Sequence, residues 1–352
     1  MSPLPPLLPP GLNRFGPRGE RSFLLVRWRV LWLFAGLALM LVMVALWALS
    51  SGTLPLGGAG VLRWLEGRAS ADEALVLGQL RLPRIALAML CGAMLGLAGA
   101  AMQSATGNAL ADPGLLGVKE GALVALLGTS LAFPLMDPTW RPLIGLSGGV
   151  AAMALVAGIA RRLSGLRFIL IGIGISWVLA SFLTLFMTVS RPETAHAVLI
   201  WMAGSLHAGS WGALGQAAPW ALLGAGLLFA TARAGNVAEL GPAVAGGLGL
   251  RAGRLALLRL GAGVMLTASA TAAIGALGFV GLVAPHLARQ VFGARQLALL
   301  SGSAICGAGL LLAADSLGRV LFAPVQIPAG VVIALIGVPM FLLILWRRRS
   351  EL

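Results

Sequence analysis

Charge is scarce in this chain. Only 10% of its 352 residues are Asp, Glu, Lys or Arg, against about a quarter in an ordinary soluble domain. Hydrophobic residues make up 59% and the mean hydropathy is +0.96. Too little polar surface is left to cover a globule, which excludes a soluble enzyme and points to a polytopic membrane protein. Lysine is scarcer still: Lys119 is alone, between Val118 and Glu120. A phosphate-binding loop of the GxxxxGK[ST] type needs a lysine after glycine, so ATP hydrolysis by that route is excluded. There are two cysteines, Cys91 and Cys306, each inside an apolar run, where a small packing residue is expected rather than a disulfide or a metal ligand. The three histidines, His196, His207 and His286, show no HxxxH or cysteine-pair spacing, so no metal site and no cofactor is expected. Carboxylates are also few, and Glu120 is the only candidate for a buried one of the kind a proton- or sodium-driven transporter needs. No acidic ring or filter-like loop suggests a channel.

What is present is glycine, 49 residues of it, as expected where membrane helices pack closely or break. The net charge of +14 comes from arginines that flank apolar runs. They form no soluble basic face, so no nucleic-acid partner is expected. A span needs about 20 apolar residues. Such runs occur near 30–49, 85–104, 114–133, 142–160, 168–189, 217–232, 255–277, 297–317 and 328–346. A tenth, Gly278 to Leu287, is short and contains Pro285, as in a broken or re-entrant helix. The first run is read as retained rather than as a cleaved signal.

With the N-terminus inside and ten crossings, sixteen arginines fall on the inner side and seven on the outer, which obeys the positive-inside rule. Both termini are then cytoplasmic. The expected organisation is a disordered, Pro- and Arg-rich tail over 1–29, a single transmembrane domain over 30–346, and a short tail over 347–352. Arg81, Arg84 and Arg319 fall on the outer side, against the bias. They either snorkel to lipid headgroups or dock an acidic partner.

Four blocks carry a family pattern: "RLPRIALAMLCGAMLGLAGAAMQSATGNALADPGLLGV" (Arg81 to Val118), "GALGFVGLVAPHLAR" (Gly275 to Arg289), "LLLAADSLGRVL" (Leu310 to Leu321) and "IPAGVVIALIGVPMFLLIL" (Ile327 to Leu345). From about residue 30 to the end the chain resembles the FecCD family, the permease subunits of binding-protein-dependent ABC importers for iron-siderophores, haem and cobalamin. The resemblance implies an all-α subunit of about ten transmembrane helices in the inner membrane. It implies a dimer with the path between the copies, two cytoplasmic ATP-binding subunits and a periplasmic binding protein. It implies that Arg81, Arg84 and Arg319 dock that protein, and that Asn108, with Ser164 and Gly165 of "LSGLR", closes the inner mouth. The span from Phe168 to Val189, with Gly172, Gly174, Ser176, Ser181 and Thr184, would line the path. The loop Ala238 to Leu250 would carry two short helices against the ATPase, with Glu239, Leu240, Gly241, Leu248, Gly249 and Leu250 as coupling residues.

Two departures stand out. Pro242 and Gly246 occupy places where such permeases carry an acidic residue and an arginine, and Gly246, Gly247 and Gly249 weaken helix formation. Lys119 and Glu120 replace small polar residues near the start of the third span; the lysine is expected to snorkel to the inner face, and the two need not pair. An iron(III)-siderophore is the expected cargo, with haem or cobalamin the alternative, and a secondary transporter the competing class.

Overall fold

The computed structural model describes residues 12–15, 24–52, 56–161, 165–322 and 325–347. Its helices, in order, are α1 (Trp28–Ser50), α2 (Gly57–Leu65), α3 (Ala71–Leu75), α4 (Leu82–Thr106), α5 (Val118–Ala132), α6 (Arg141–Ala160), α7 (Leu166–Val189), α8 (Pro192–Ala203), α9 (Trp211–Ala230), α10 (Ala232–Ala238), α11 (Pro242–Gly247), α12 (Ala252–Ile274), α13 (Val280–Phe292), α14 (Gln296–Val320) and α15 (Ala329–Arg347). The ten apolar runs coincide with α1, α4, α5, α6, α7, α9, α12, α13, α14 and α15. Among the described residues, seven helical stretches are long and apolar enough to cross a membrane. The helices α5 and α13 are shorter, with 15 and 13 residues, and the apolar part of α15 is Ala329–Leu342. Within the tail expected to be disordered, strand β1 (Leu12–Phe15) pairs antiparallel with β2 (Leu24–Arg27).

At the centre lies α4, packed against α12, α13 and α14. Small residues make that packing possible. A Cβ on Gly307 of α14 would collide with the backbone of Gly92 in α4, and one on Gly99 with the backbone of Gly281 in α13. The helices therefore meet backbone to backbone, which maximises dispersion contact where lipid offers no hydrophobic drive. Cys91 and Cys306 sit in this packing as free, buried thiols. On the periphery, α1 lies against α14, and Phe34 stacks on Phe292 with ring centroids 4.0 Å apart. The apolar side of α7 is bare: Trp177 is 74% and Val189 77% exposed, so lipid or another chain must cover it.

The short tenth run is a genuine break. α12 ends at Ile274, and residues 275–278 leave the helical path before Phe279, at φ 65°, starts α13. The freed backbone groups find partners in the last turn of α8 and just after it: Ala276 N–H donates to the Trp201 carbonyl at 2.8 Å, and Ser205 N–H to the Ile274 carbonyl at 2.8 Å. Irregular backbone inside a bundle is tolerated on that condition.

A second irregularity precedes α4. Residues Val76–Arg81 form a π-helical turn in which the N–H of Leu82 reaches back to Leu77. Pro83 follows and has no N–H. The Gly78 carbonyl, left over by both, accepts from the Trp211 indole Nε1 at 3.0 Å. The turn delivers Arg81 and Arg84 to the end of the bundle where α1, α4, α14 and the segment before α15 converge.

Candidate functional site

The three arginines that break the charge bias come together at this end around a carboxylate. Asp315 of α14 is 2% exposed. Arg84 clamps it with Nη2 to Oδ1 at 2.7 Å and Nε to Oδ2 at 3.0 Å, and Arg319, one turn on, brings Nε to 3.5 Å from Oδ2. A planar guanidinium fork matches a carboxylate at two points. Arg84 Nη1 also donates to Gln326 Oε1 at 3.1 Å, and His207 Nδ1 lies 3.2 Å from the same oxygen. Arg81 Nη1 donates to the Leu49 carbonyl at 2.6 Å, and Arg319 Nη2 to the Ala48 carbonyl at 3.2 Å. Those carbonyls end α1, where the helix leaves acceptors unmatched and its dipole favours cations. The arginines thus hold the end of α1 and Asp315 while lining a cavity of about 280 Å³ with Gly52, Gly209 and His207. The guanidiniums are turned inward, Arg81 and Arg319 each 6% exposed, so any anion must enter the cavity to meet them. Asp315 and Gln326 were not singled out by sequence, and His207 was weighed only as a metal ligand; the Asp315/Arg319 spacing of four residues on one helix was the available signal.

On the bare face, Lys119 and Glu120 line a second cavity of about 440 Å³ with Ser176, Trp177, Ser181 and Thr184. Lys119 stays near its neighbour, Nζ 3.6 Å from Glu120 Oε1. Glu120 Oε2 is buried with no hydrogen-bond partner. Ser181 and Thr184 donate to the carbonyls of Trp177 and Ala180 on their own helix, leaving each oxygen able to accept. Gly172 packs onto Leu116, a helix-packing role, whereas Gly174 meets nothing within 4 Å.

At the opposite end of α4, Asn108 shapes the turn: its Oδ1 accepts the N–H of Leu110 at 2.8 Å. Asp112 caps the 3₁₀ turn Pro113–Leu116, accepting the N–H of Gly114 at 3.1 Å, with Pro113 in the first position, where no N–H is needed. Gly165, at φ 88°, opens α7; Ser164 lies outside the described residues.

The loop after α9 holds two short helices, α10 and α11, joined through Glu239, Leu240 and Gly241, with Leu248, Gly249 and Leu250 leading to α12. Gly241 at φ 95° and Gly249 at φ 78° make the turns. Leu240, Val244 and Leu248 are 61%, 50% and 66% exposed, an apolar edge without cover among the described residues. Glu239 turns inward instead, its Oε1 2.5 Å from Gln296 Nε2. Gln296, fully buried at the start of α14, also donates to Ser104 Oγ at 3.1 Å and accepts from Arg259 Nη2. Neither Gln296 nor Arg259 was singled out from sequence: Arg259 lies within an apolar run, and nothing local shows which helices converge on it.

Apolar helices packed backbone to backbone, with a charged cavity at one end and a jointed helical loop at the other, define a multi-pass membrane permease. The chain belongs to the FecCD transport family, whose model matches residues 39–347. It is 33% identical over 318 residues to the iron(3+)-hydroxamate import permease FhuG of Bacillus subtilis, covering 88% of this chain and 95% of the relative. It is 35% identical over 305 residues to the Fe(3+) dicitrate permease FecD of Escherichia coli (87% and 95%), and 36% identical over 316 residues to the ferric enterobactin permease FepG of the same organism (88% and 94%). A solved ABC transporter of the metal-chelate type, in an inward-facing conformation, superposes with a TM-score of 0.77 at 28% identity, covering 90% of this chain and 99% of the other.

Proposed function

We propose that the chain is the permease subunit of a binding-protein-dependent ABC importer that carries an iron(III)-siderophore across the inner membrane, both termini cytoplasmic, with ATP hydrolysed by a separate subunit. The observation that carries this reading is alignment over nearly the whole chain with permeases named for ferric hydroxamate, dicitrate and enterobactin. The exposed face of α7 suits a second permease copy, with the translocation path between the two, and lipid covers the rest. The cavity at Arg81, Arg84 and Arg319 faces the periplasm. Three guanidiniums against one carboxylate leave it positive, so it attracts and orients acidic groups on the two lobes of a periplasmic binding protein. The edge formed by Leu240, Val244 and Leu248 beds into a cytoplasmic ATP-binding subunit, and Asn108, Ser164 and Gly165 form the inner gate.

Transport in proteoliposomes holding the chain with its ATPase and binding protein tests this. Uptake of a ferric chelate that requires ATP and resists a protonophore is expected. Haem or cobalamin carried in place of ferric chelates would overturn the cargo. Uptake that persists without the ATPase and collapses with a protonophore would overturn the class.

A further inference from the structure

The buried cluster at the α10 end ties the jointed loop to the core through one side chain. Gln296 accepts from Arg259 of α12, donates to Ser104 of α4 and to Glu239 at the end of α10, and its N–H donates to Asn236 Oδ1 of α10 at 2.9 Å. Three central helices and the side chains of Asn236 and Glu239 therefore meet at one residue. The side-chain amide serves Arg259, Ser104 and Glu239 because it offers both an acceptor and two donors, and the main-chain N–H of the same residue serves Asn236. The surroundings are tight. Gly235 of α10 lies against Arg259 so closely that a Cβ there would collide with Nη1. Arg259 is 1% exposed.

The pairing is also incomplete. Arg259 Nε and Nη1 are buried with no hydrogen-bond partner among the described residues. Unmatched buried donors are costly, so these two nitrogens stand ready for an acceptor that another arrangement would supply. Glu239 is one amide away from Arg259, both being bonded to the side chain of Gln296.

We propose that Gln296 is the positioning residue that transmits movement of the α10–α11 loop to α4, α12 and α14, with Glu239 exchanging between Gln296 and Arg259. This rests on the reading of that loop as the ATPase-facing segment. Gln296 touches neither cargo nor nucleotide; it sets how closely the loop and the core move together.

The test exchanges the two polar ends. In the assembled importer, Gln296→Glu alone sets two carboxylates face to face where an amide met a carboxylate. The double variant Glu239→Gln with Gln296→Glu restores a donor opposite an acceptor; Arg259 can still donate to position 296, and the Ser104 hydroxyl, an acceptor in the parent, can turn to donate. The readout is chelate transported per ATP hydrolysed, with assembly followed by co-purification of the ATPase subunit. The single variant should lose at least fivefold in this ratio, and the double should recover to within twofold of the parent. A single variant that couples normally, or a double no better than the single, overturns the linkage. If Gln296→Glu fails to assemble, Ser104→Ala removes one bond of the cluster and should lower the ratio about twofold; an unchanged ratio there overturns it equally. Failure of the parent importer to couple at all would instead strike the functional reading.

Discussion

Removing Arg84 or Asp315 should expose how strongly the outer cluster is held. Arg84 spans the Asp315 carboxylate at 2.7 and 3.0 Å, and the side chains are 13% and 3% exposed. Hydrogen bonds to charged groups contribute about 1.5–3 kcal/mol each. Removing one partner of a buried pair costs about 3–5 kcal/mol, because the other charge is left stranded. Among the described residues, Arg84→Gln leaves Asp315 with the 3.5 Å approach of Arg319 as its remaining ion pair. Asp315→Asn leaves three guanidiniums facing one another. Each single change should therefore destabilise the subunit by about 3–5 kcal/mol. The double change replaces the pair by two neutral amides and should cost less than the two singles together by at least ~1.5 kcal/mol. Reversible unfolding in mixed micelles measures the cycle. The coupling should persist at high salt, since buried pairs are poorly screened. Single variants within ~1 kcal/mol of the parent, or additivity within ~0.5 kcal/mol, would refute the account of the cluster.

Gly307→Val should push α14 off α4, because even a Cβ at that position meets the Gly92 backbone; a loss of about 1–3 kcal/mol is expected by the same unfolding assay. Asn108→Ala removes the side-chain bond to Leu110 and should raise passive leak of a ferric chelate from sealed vesicles while binding-protein affinity stays within twofold of the parent, read by surface-bound affinity measurement. Glu73, in the first turn of α3, is hydrogen-bonded by Arg63 and by the Ser70 N–H, which hold its carboxyl below the usual range. The stabilisation is therefore present above the ordinary carboxylate pKa of about 4.3 and lost as pH falls through the lower folded value. Amide protection in α3 should survive from pH 7 to pH 5 and fall only below the ordinary value, and Glu73→Gln should remove that dependence.

Much of the architecture could be read from hydropathy, because a membrane span leaves a long uniform run. The same uniformity hid the polar contacts. Arg81 and Arg319 carry an obvious charge, yet their inward turn onto the end of α1 depends on helices distant in sequence. Asp315 looked like one more polar residue in an apolar block until Arg84 closed on it across the bundle. Lys119 and Glu120 were visible as departures, but adjacent positions on an ideal helix do not face each other; at the first turn of α5 they lie close enough to interact. The π turn before α4 has no composition signature, and only the Trp211 contact with Gly78 shows where its spare carbonyl went. Gln296 was unreadable for the same reason: its role comes from four partners on, or at the end of, three other helices, α4, α10 and α12.

The central claim is the polarity of the bundle, with the Arg84 cavity outside and the α10–α11 loop inside. Single cysteines at two exposed positions test it: Leu80→Cys, beside the cavity, and Leu248→Cys, on the loop, 56% and 66% exposed in the parent. The native Cys91 and Cys306 are buried and should stay silent. In intact cells with a permeable outer barrier, a membrane-impermeant thiol reagent should label Leu80→Cys and spare Leu248→Cys, and in inverted vesicles the pattern should reverse. Labelling of Leu80→Cys only from the cytosolic side would contradict the account.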